Sequence, residues 1–169
     1  EEVFEANDRA LLFTQFTEWG YLLQSYLQKR WQAEIPFLHG GSSKIQRQEM
    51  IDRFQNDPRG PRLFLLSLKA GGLGLNLTRA NHVFHIDRWW NPAVENQATD
   101  RAYRTGQNQS VIVHKFISKG SIEEKIDKMI IQKSQLAEEI VGSGESWLGS
   151  MNIDDISKLV ALDTYTPEL

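Results

Sequence analysis

The sequence predicts an α/β domain with a mainly parallel central sheet and helices between the strands. Short apolar runs alternate along the chain with amphipathic segments of helical period, the arrangement that builds parallel sheets with crossover helices. Helix start signals follow several of these runs. The 169 residues, 40% of them hydrophobic and 24% charged, are enough for one sizeable core but not for two catalytic lobes.

Five apolar runs are predicted strands, in keeping with a sheet of about five or six strands. The run that contains Pro36 is expected at an edge of the sheet, because proline cannot donate to a ladder of hydrogen bonds. Residues 10–14, 63–68 and 82–87 are expected to be buried strands, the first of them nearly all apolar, as strands covered on both faces are. The runs are residues 10–14, 35–38, 63–68, 82–87 and 111–117.

Four segments are predicted helices. The first has an apolar stripe that is expected to face the core, formed by Trp19, Leu22, Leu23, Tyr26, Leu27 and Arg30. The second opens with a capping box from Ser43 to Gln46 and runs through Phe54. Asn91 and Pro92 start the third, which is expected to reach about Arg104 and to end at Gly106. The fourth opens with a capping box from Ser121 to Glu124 and ends at Gly142.

The domain boundary is predicted near Gly142, where the charge changes sign. Residues 60–133 carry eleven basic and six acidic side chains, whereas residues 134–169 carry one basic and seven acidic. We therefore expect a main domain over residues 1–142. Residues 143–169 are expected to form a linker and a short acidic amphipathic helix, a brace-like appendage.

Composition excludes several classes of protein. The absence of cysteine rules out disulfides, thiolate catalysis and cysteine-bound zinc. The four histidines lack the spacing of metal ligands, so no metal site is predicted. No export signal and no run of eighteen apolar residues occurs, which predicts a soluble intracellular protein, in cytoplasm, nucleoid or nucleus.

A cluster of basic side chains is the first candidate site. On a helix from Pro92 onward, Gln97, Arg101 and Arg104 fall at i, i+4 and i+7, so one face presents an amide and two guanidinium groups. Guanidinium donors match phosphoryl oxygens. The alternative is a solvated face whose arginines pair with Asp100 or Glu95. The helix follows a strand, which places its start at the ligand-binding edge of an open α/β sheet.

A glycine-rich segment, Ser67 to Asn76, is the second candidate. Its glycines allow a close backbone approach to an anion, although a simple strand-to-helix turn uses the same residues. A dinucleotide fingerprint would need glycine at Leu77, and the distance to the next strand is too short for a crossover helix. No P-loop motif occurs, so a triphosphate would have to be held elsewhere.

Two further strand ends could contact nucleic acid. Trp89 and Trp90 cannot both face one core, so at least one is expected at a surface or interface. Beside Arg88, such a ring suits base or sugar contact, and an ordinary protein interface is the alternative. The turn His39-Gly40-Gly41 offers backbone amides next to a helix N-terminus that could take a phosphate, with a simple turn as the alternative.

Six motifs in order resemble the second RecA-like lobe of the Swi/Snf family of DNA-dependent ATPases, within helicase superfamily two. The resemblance covers about residues 8–142 and predicts a RecA-like three-layer domain. One departure is that Tyr103 and Thr105 stand where the family usually carries histidine and an aliphatic residue. The motifs are Thr14-Gln15-Phe16, His39-Gly40-Gly41-Ser42, Arg47 with Phe54, Ser67 through Leu77, Asp87 through Pro92, and Gln97 through Gln107.

The resemblance implies the C-terminal lobe of a motor that couples ATP hydrolysis to movement along double-stranded DNA and remodels protein–DNA complexes. It implies that ATP and Mg²⁺ are held mainly by an N-terminal RecA-like lobe of the same protein, and that this chain alone is inactive. The implied roles are arginine fingers for Arg101 and Arg104, nucleotide contacts for Gln97, Gly74 and Asn76, and DNA contacts for His39, Gly40, Gly41, Ser67, Lys69, Trp89 and Trp90.

Two other classes of function stay open on the sequence. One is a non-catalytic nucleic-acid or chromatin-binding module that kept the fold and lost the motor. The other is a nucleotide-cofactor enzyme, which the spacing around Gly74 disfavours. DNA-bound proteins are expected partners of the motor, and no interaction with a membrane is expected.

Overall fold

The computed structural model describes residues 2–71, 75–89, 91–103, 110–137, 153, 154 and 157. Within it, five strands form one sheet in which every neighbouring pair is parallel. This confirms the predicted α/β fold. The strands are β1 (Ala10–Thr14), β2 (Phe37–Leu38), β3 (Leu63–Ser67), β4 (His82–His85) and β5 (Ile112–Lys115), and their order across the sheet is β2-β3-β1-β4-β5. The boundary predicted near Gly142 lies outside the described residues.

Helices connect the strands, as expected for parallel neighbours. Two of them were not anticipated from periodicity, because a single turn is too short to show a repeat. These are α1 (Glu2–Glu5) and α4 (Leu68–Gly71). The longer helices are α2 (Thr17–Trp31), α3 (Lys44–Asn56), α5 (Pro92–Thr99) and α6 (Ile122–Ala137).

Alternate residues of the central strands face two separate cores. On β1, Leu11 and Phe13 belong to one apolar cluster, while Ala10 and Leu12 belong to the other. Helices α3 and α5 contribute Phe54 and Ala98 to the first cluster, and Leu23 and Leu27 of α2 pack against the second. The domain therefore has three layers, which explains why its strands are apolar on both faces.

The apolar stripe predicted for α2 is only partly buried. Leu23 and Leu27 pack on the sheet, but Trp19, Leu22 and Tyr26 are 46%, 65% and 64% exposed. The prediction that the whole stripe faces the core was wrong. An apolar stripe on a helix can be wider than the sheet surface that covers it, and periodicity alone does not distinguish the two cases.

Gly20 is the buried residue of α2 that lets this helix approach the sheet. A Cβ atom at Gly20 would lie 2.3 Å from Cζ of Phe37 in β2. The phenyl ring has little room to move, since it contacts the rings of Tyr21 and His39. Even alanine at this position therefore requires a shift of packed groups, which destabilises a close-packed interior.

The capping box predicted at the start of α3 is confirmed, whereas the start of α6 is capped by different hydrogen bonds from those predicted. Ser43 and Gln46 exchange both hydrogen bonds of a capping box. At α6, the Ser121 hydroxyl accepts from the N–H of Glu123, and the carboxylate of Glu124 accepts from the N–H of Gly120. Ser121 and Glu124 thus both cap α6, but the N–H groups they bind are not those that a capping box predicts.

The helix predicted to continue to Arg104 is shorter than expected. It ends at Thr99, after which the N–H groups of Arg101 and Ala102 bond to carbonyls three residues back. Gln97 is exposed and Arg101 is buried, so the two do not together present an exposed face as expected. Arg104 lies outside the described residues.

Candidate nucleotide and nucleic-acid sites at the carboxyl edge

The carboxyl ends of the parallel strands meet at one edge of the sheet. Leu38 of β2 aligns with Leu66, and Thr14 of β1 aligns with Ser67. β4 joins the same register, because Phe13 aligns with His85. The segments that follow these four strands hold most of the predicted site residues, and in open α/β sheets this edge is where ligands bind.

The two segments predicted to contact nucleotide are joined by a backbone hydrogen bond. The N–H of Leu77 donates to the carbonyl of Arg101 over 2.9 Å, and α4 packs against α5. Asn76 and Gln97 are exposed nearby. Gly74 and Arg104 lie outside the described residues, so the structure brings together three of the five predicted residues.

The side chain of Arg101 does not project into solvent. It is 2% exposed, whereas the sequence analysis placed it on a presented face. Of the two carboxylates considered as partners of the arginines, Asp100 is exposed and Glu95 is buried and binds Arg88 and Lys115. Arg101 is thus held inside this lobe close to the expected nucleotide edge.

The turn His39-Gly40-Gly41 is organised by its own histidine. Nδ1 of His39 accepts from the N–H of Gly41 over 3.1 Å, and Nε2 lies 2.9 Å from the hydroxyl of Tyr21 in α2. In neutral His39 this arrangement puts the ring proton on Nε2, where it donates to Tyr21. The amide of Gly41 is therefore engaged within the turn, and the exposed amide of Gly40 is the better candidate for an anion.

Ser67 and Lys69 differ in what they present at the edge. Ser67 is buried, and its hydroxyl accepts from the N–H of Ala70 over 3.2 Å, so it caps α4. Lys69, one residue into that helix, is exposed. A surface cation therefore follows β3, and the His39 turn follows the neighbouring strand β2.

Asp87 anchors the segment after β4 to the end of β1. Its carboxylate accepts from the hydroxyl of Thr14 and from the N–H of Gln15 at 3.0 Å. Burial raises the pKa of Asp87, and the hydrogen bonds from Thr14 and Gln15 oppose that shift. The motif residues at both strand ends thus form one connected structure.

The two tryptophans were predicted to lie near DNA. Trp89 is half-buried and packs against the first apolar cluster, so its ring is divided between the core and the surface. Trp90 lies outside the described residues. The partial exposure of Trp89 agrees with the expectation that at least one of the two rings reaches the surface. The DNA contact stays a prediction for both tryptophans.

Sequence reasoning missed a buried polar cluster behind this edge. The salt-bridge cluster consists of Arg88, Glu95, Lys115 and Asp127, in which Arg88 bridges Glu95 and Asp127 at 2.9 and 2.8 Å. Its available signals were weak: Lys115 interrupts an apolar strand, and Arg88 directly follows another. Neither signal says which carboxylate would be buried with them.

His85 lies next to this cluster and is fully buried. Burial lowers its pKa to about 4, with help from the positive charges of Lys115 and Arg88 and against the effect of Glu95. Its Nε2 lies 3.0 Å from the hydroxyl of Thr99 in α5. His85 is therefore neutral at physiological pH and ties β4 to α5.

One cavity in the described part of the chain lies away from this edge. A cavity of about 240 Å³ borders Pro36 and Pro61, which precede β2 and β3 and so lie at the opposite, amino edge. Within the described ranges, no three His, Asp or Glu side chains converge as metal ligands. No helix in the described part of the chain has the length and apolarity to cross a lipid bilayer.

A three-layer, all-parallel domain with its motif residues gathered at the carboxyl edge is the architecture of a RecA-like lobe. Comparison with known families gives a match over residues 1–106 to the helicase conserved C-terminal domain. The chain therefore belongs to the helicase conserved C-terminal domain family. Its structural matches are to the C-terminal lobes of SWI2/SNF2 ATPases, as the resemblance predicted.

The similar proteins support this assignment. The chain is 49% identical over 156 residues to YwqA of Bacillus subtilis, named as a putative ATP-dependent helicase/translocase. The aligned part covers 92% of this chain but 17% of that protein. The C-terminal domain of a Sulfolobus solfataricus SWI2/SNF2 ATPase matches with a TM-score of 0.73 and 41% identity, over 96% of this chain and 65% of that one.

A third match includes nucleic acid. The Sulfolobus solfataricus SWI2/SNF2 ATPase core in complex with double-stranded DNA matches with a TM-score of 0.77 and 42% identity, over 96% of this chain and 34% of that one. This chain thus spans a minor part of the protein cores and full-length relatives that it resembles.

Proposed function

We propose that this chain is the C-terminal motor lobe of an ATPase that moves along double-stranded DNA and remodels protein–DNA complexes. The observation that carries the proposal is the hydrogen bond from Leu77 to Arg101. It joins the glycine-rich segment and the arginine segment, two motifs far apart in sequence, at the carboxyl edge of the sheet. The similarity to helicases and to a DNA-bound ATPase core supports the same assignment.

The nucleotide is proposed to bind between this edge and an N-terminal RecA-like lobe of the same protein. Gln97, Gly74 and Asn76 would contact ATP, while Arg101 and Arg104 would act as arginine fingers. A guanidinium near the transferred phosphoryl group stabilises its developing charge. Because Arg101 is buried in this lobe, the proposal requires its side chain to turn outward when the lobes close.

Magnesium is assigned to the other lobe. In the described part of this chain no three acidic or histidine side chains converge as metal ligands. No step of the proposed mechanism runs through a metal held by this chain. What the chain supplies is positive charge and a shaped surface.

The proposed DNA contacts are made mainly to the phosphate backbone. Lys69 and Gly40 are both exposed residues that follow strands ending at this edge, and His39 fixes the turn that carries Gly40. Contacts to phosphates hold a duplex without reading its sequence, which suits a translocating motor. Ser67 and Gly41 are proposed to act by shaping these turns, and Trp89 and Trp90 by lying against the duplex.

Movement would follow from changes in the contact between lobes. ATP held between the lobes brings them together, and its hydrolysis removes phosphate groups that both lobes touch. The turns proposed to contact DNA and the segments proposed to contact nucleotide follow strands of the same sheet. Opening and closing would therefore shift the grip on the duplex. Residues 143–169 are proposed to form the brace-like appendage, and the motor to work inside the cell.

One observation favours an alternative function. The burial of Arg101 is what a structural arginine in a non-catalytic nucleic-acid or chromatin-binding module would show. Such a module would bind DNA without turning over ATP. The two functions are separated by a test of ATP-dependent movement.

The test uses the intact protein and a DNA duplex that carries a third strand bound in its major groove. We expect ATP to drive displacement of the third strand, because a translocating motor strips it from the duplex, and we expect the two duplex strands to stay paired. A non-hydrolysable ATP analogue is the control. Binding to DNA without any ATP-dependent displacement would favour the non-catalytic module.

A further inference from the structure

Glu95 is a charged residue with no exposure to solvent. Its carboxylate accepts hydrogen bonds from Nη1 of Arg88 at 2.9 Å and from the N–H of Trp89 at 3.0 Å, and it forms an ion pair with Nζ of Lys115 at 3.1 Å. Glu95 lies in α5, and its partners lie after β4 and in β5. One side chain therefore joins three parts of the fold.

Arg88 extends the connection to a fourth element. It is 3% exposed, and its Nη2 forms an ion pair with Asp127 of α6 at 2.8 Å. Its backbone N–H also donates to Glu123 of α6 at 3.3 Å. The segment after β4 is thus bound through both side chain and backbone to α6 and likewise to α5.

A buried ion pair of this kind is a poor source of stability. Taking both charges out of water costs about as much as their attraction returns, and apolar residues of similar size often stabilise a fold as well or better. What a buried pair does supply is a single arrangement, because any other leaves a charge without a partner. Glu95 therefore sets where the segment after β4 lies relative to α5.

These two parts have different roles in the proposed function. The segment after β4 carries Trp89 and leads to the proposed DNA contacts, while α5 carries Gln97 and leads directly to Arg101. Glu95 belongs to α5, and its carboxylate binds Arg88 and Trp89 in the segment after β4. Its hydrogen bond to the backbone of Trp89 fixes that segment whatever the state of the indole ring.

We infer that Glu95 is a positioning residue that couples DNA contact to the nucleotide site. The inference rests on the proposed function and names how its two sites communicate. When DNA presses on the segment after β4, Glu95 transmits the change in position to α5. Without its carboxylate, DNA binding and ATP turnover are expected to become less dependent on each other.

The test measures ATP turnover by the intact protein with and without double-stranded DNA. Glu95→Gln keeps one acceptor for the N–H of Trp89 but loses the charge, and Glu95→Met loses both. We expect the ratio of DNA-stimulated to DNA-free turnover to fall about tenfold or more in Glu95→Met, since misplacement by about an ångström can cost that much, and by less in Glu95→Gln. A variant that merely lowers the amount of folded protein reduces both rates equally and leaves the ratio unchanged.

Two control variants sharpen the comparison. Lys115→Met removes one partner of Glu95, a lysine whose side chain is 38% exposed, and keeps the hydrogen bond from Trp89 to Glu95. The ratio of DNA-stimulated to DNA-free turnover should therefore stay within about twofold of wild type. Gly20→Ala lowers stability by crowding Phe37, far from the salt-bridge cluster, and should leave the ratio unchanged.

The outcomes separate the inference from the proposed function. An unchanged ratio in Glu95→Gln, the variant closest in shape to wild type, would overturn the coupling role while the motor assignment stands. If Glu95→Met fails to fold, Glu95→Gln decides alone. If wild type itself shows no stimulation by DNA, the proposed function is wrong and the coupling role is overturned with it.

Discussion

Replacing Arg101 with alanine in the intact protein is expected to lower DNA-stimulated ATP turnover by about 10³-fold or more, the range observed for arginine fingers. The affinity for double-stranded DNA should change little, because the proposed DNA contacts lie at other strand ends. Arg104→Ala is expected to act in the same direction. Steady-state turnover at saturating DNA, together with a DNA-binding titration of each variant, measures both effects.

Because Arg101 is buried, the melting temperature of the Arg101→Ala variant has to be measured together with its turnover. Arg79 is an exposed arginine of the same lobe, and Arg79→Ala serves as the matched control for loss of one positive charge. If Arg101 has only a structural role, Arg101→Ala will lower the melting temperature and reduce turnover and DNA affinity together. Loss of turnover in a variant that melts like wild type and binds DNA normally supports the finger role.

Lowering the pH from about 6.5 to 4 is expected to remove about 3 kcal/mol of stability through His85 alone. Its pKa is about 4 in the folded chain and 6.5 in the unfolded one. Between these values the unfolded chain binds more protons, so stability rises with pH and is fully present above about 6.5. Below about 4 both states are protonated and the loss is complete.

Denaturant unfolding of wild type and His85→Phe across this pH range measures the effect. Contributions from other titrating groups are common to both proteins and cancel in the difference between their curves. Thr99→Val is the control, because it removes the hydrogen-bond partner of His85 and keeps the titrating ring. Parallel curves for wild type and His85→Phe would show that His85 is not the source of the pH dependence.

The sheet was predictable because both of its faces are covered. All residues of β1 and β3 are buried, so these strands read as continuous apolar runs whose identity does not depend on register. β5 is exposed along much of its length, yet it lies within the predicted strand at residues 111–117. Pro36 correctly indicated that β2 lies at an edge.

Features that depend on the third dimension were not predictable. Helical spacing suggested that Arg101 shares an exposed face with Gln97, but Gln97 is exposed and Arg101 is buried. Likewise, Trp19 and Leu23 look equivalent in the sequence of α2, and only the shape of the sheet decides that Leu23 is covered. A local pattern does not contain the curvature of its partner surface.

The buried salt-bridge cluster shows the same limit for the candidate site. Arg88 and Lys115 are 27 positions apart, and they meet at Glu95 because β4 and β5 are neighbours. Asp87 and Thr14 meet for the same reason across β1 and β4. The motifs indicated which segments form the edge, and the sheet order determined which side chains join them.

The central claim is that this chain completes an ATP site begun by another lobe. Its most direct test measures ATP hydrolysis, with and without double-stranded DNA, by residues 1–169 alone and by the intact protein under the same conditions. We predict DNA-stimulated turnover by the intact protein and none by residues 1–169. Turnover by residues 1–169 alone, rising when DNA is added, would contradict the claim, because the whole reaction centre would then lie within this chain.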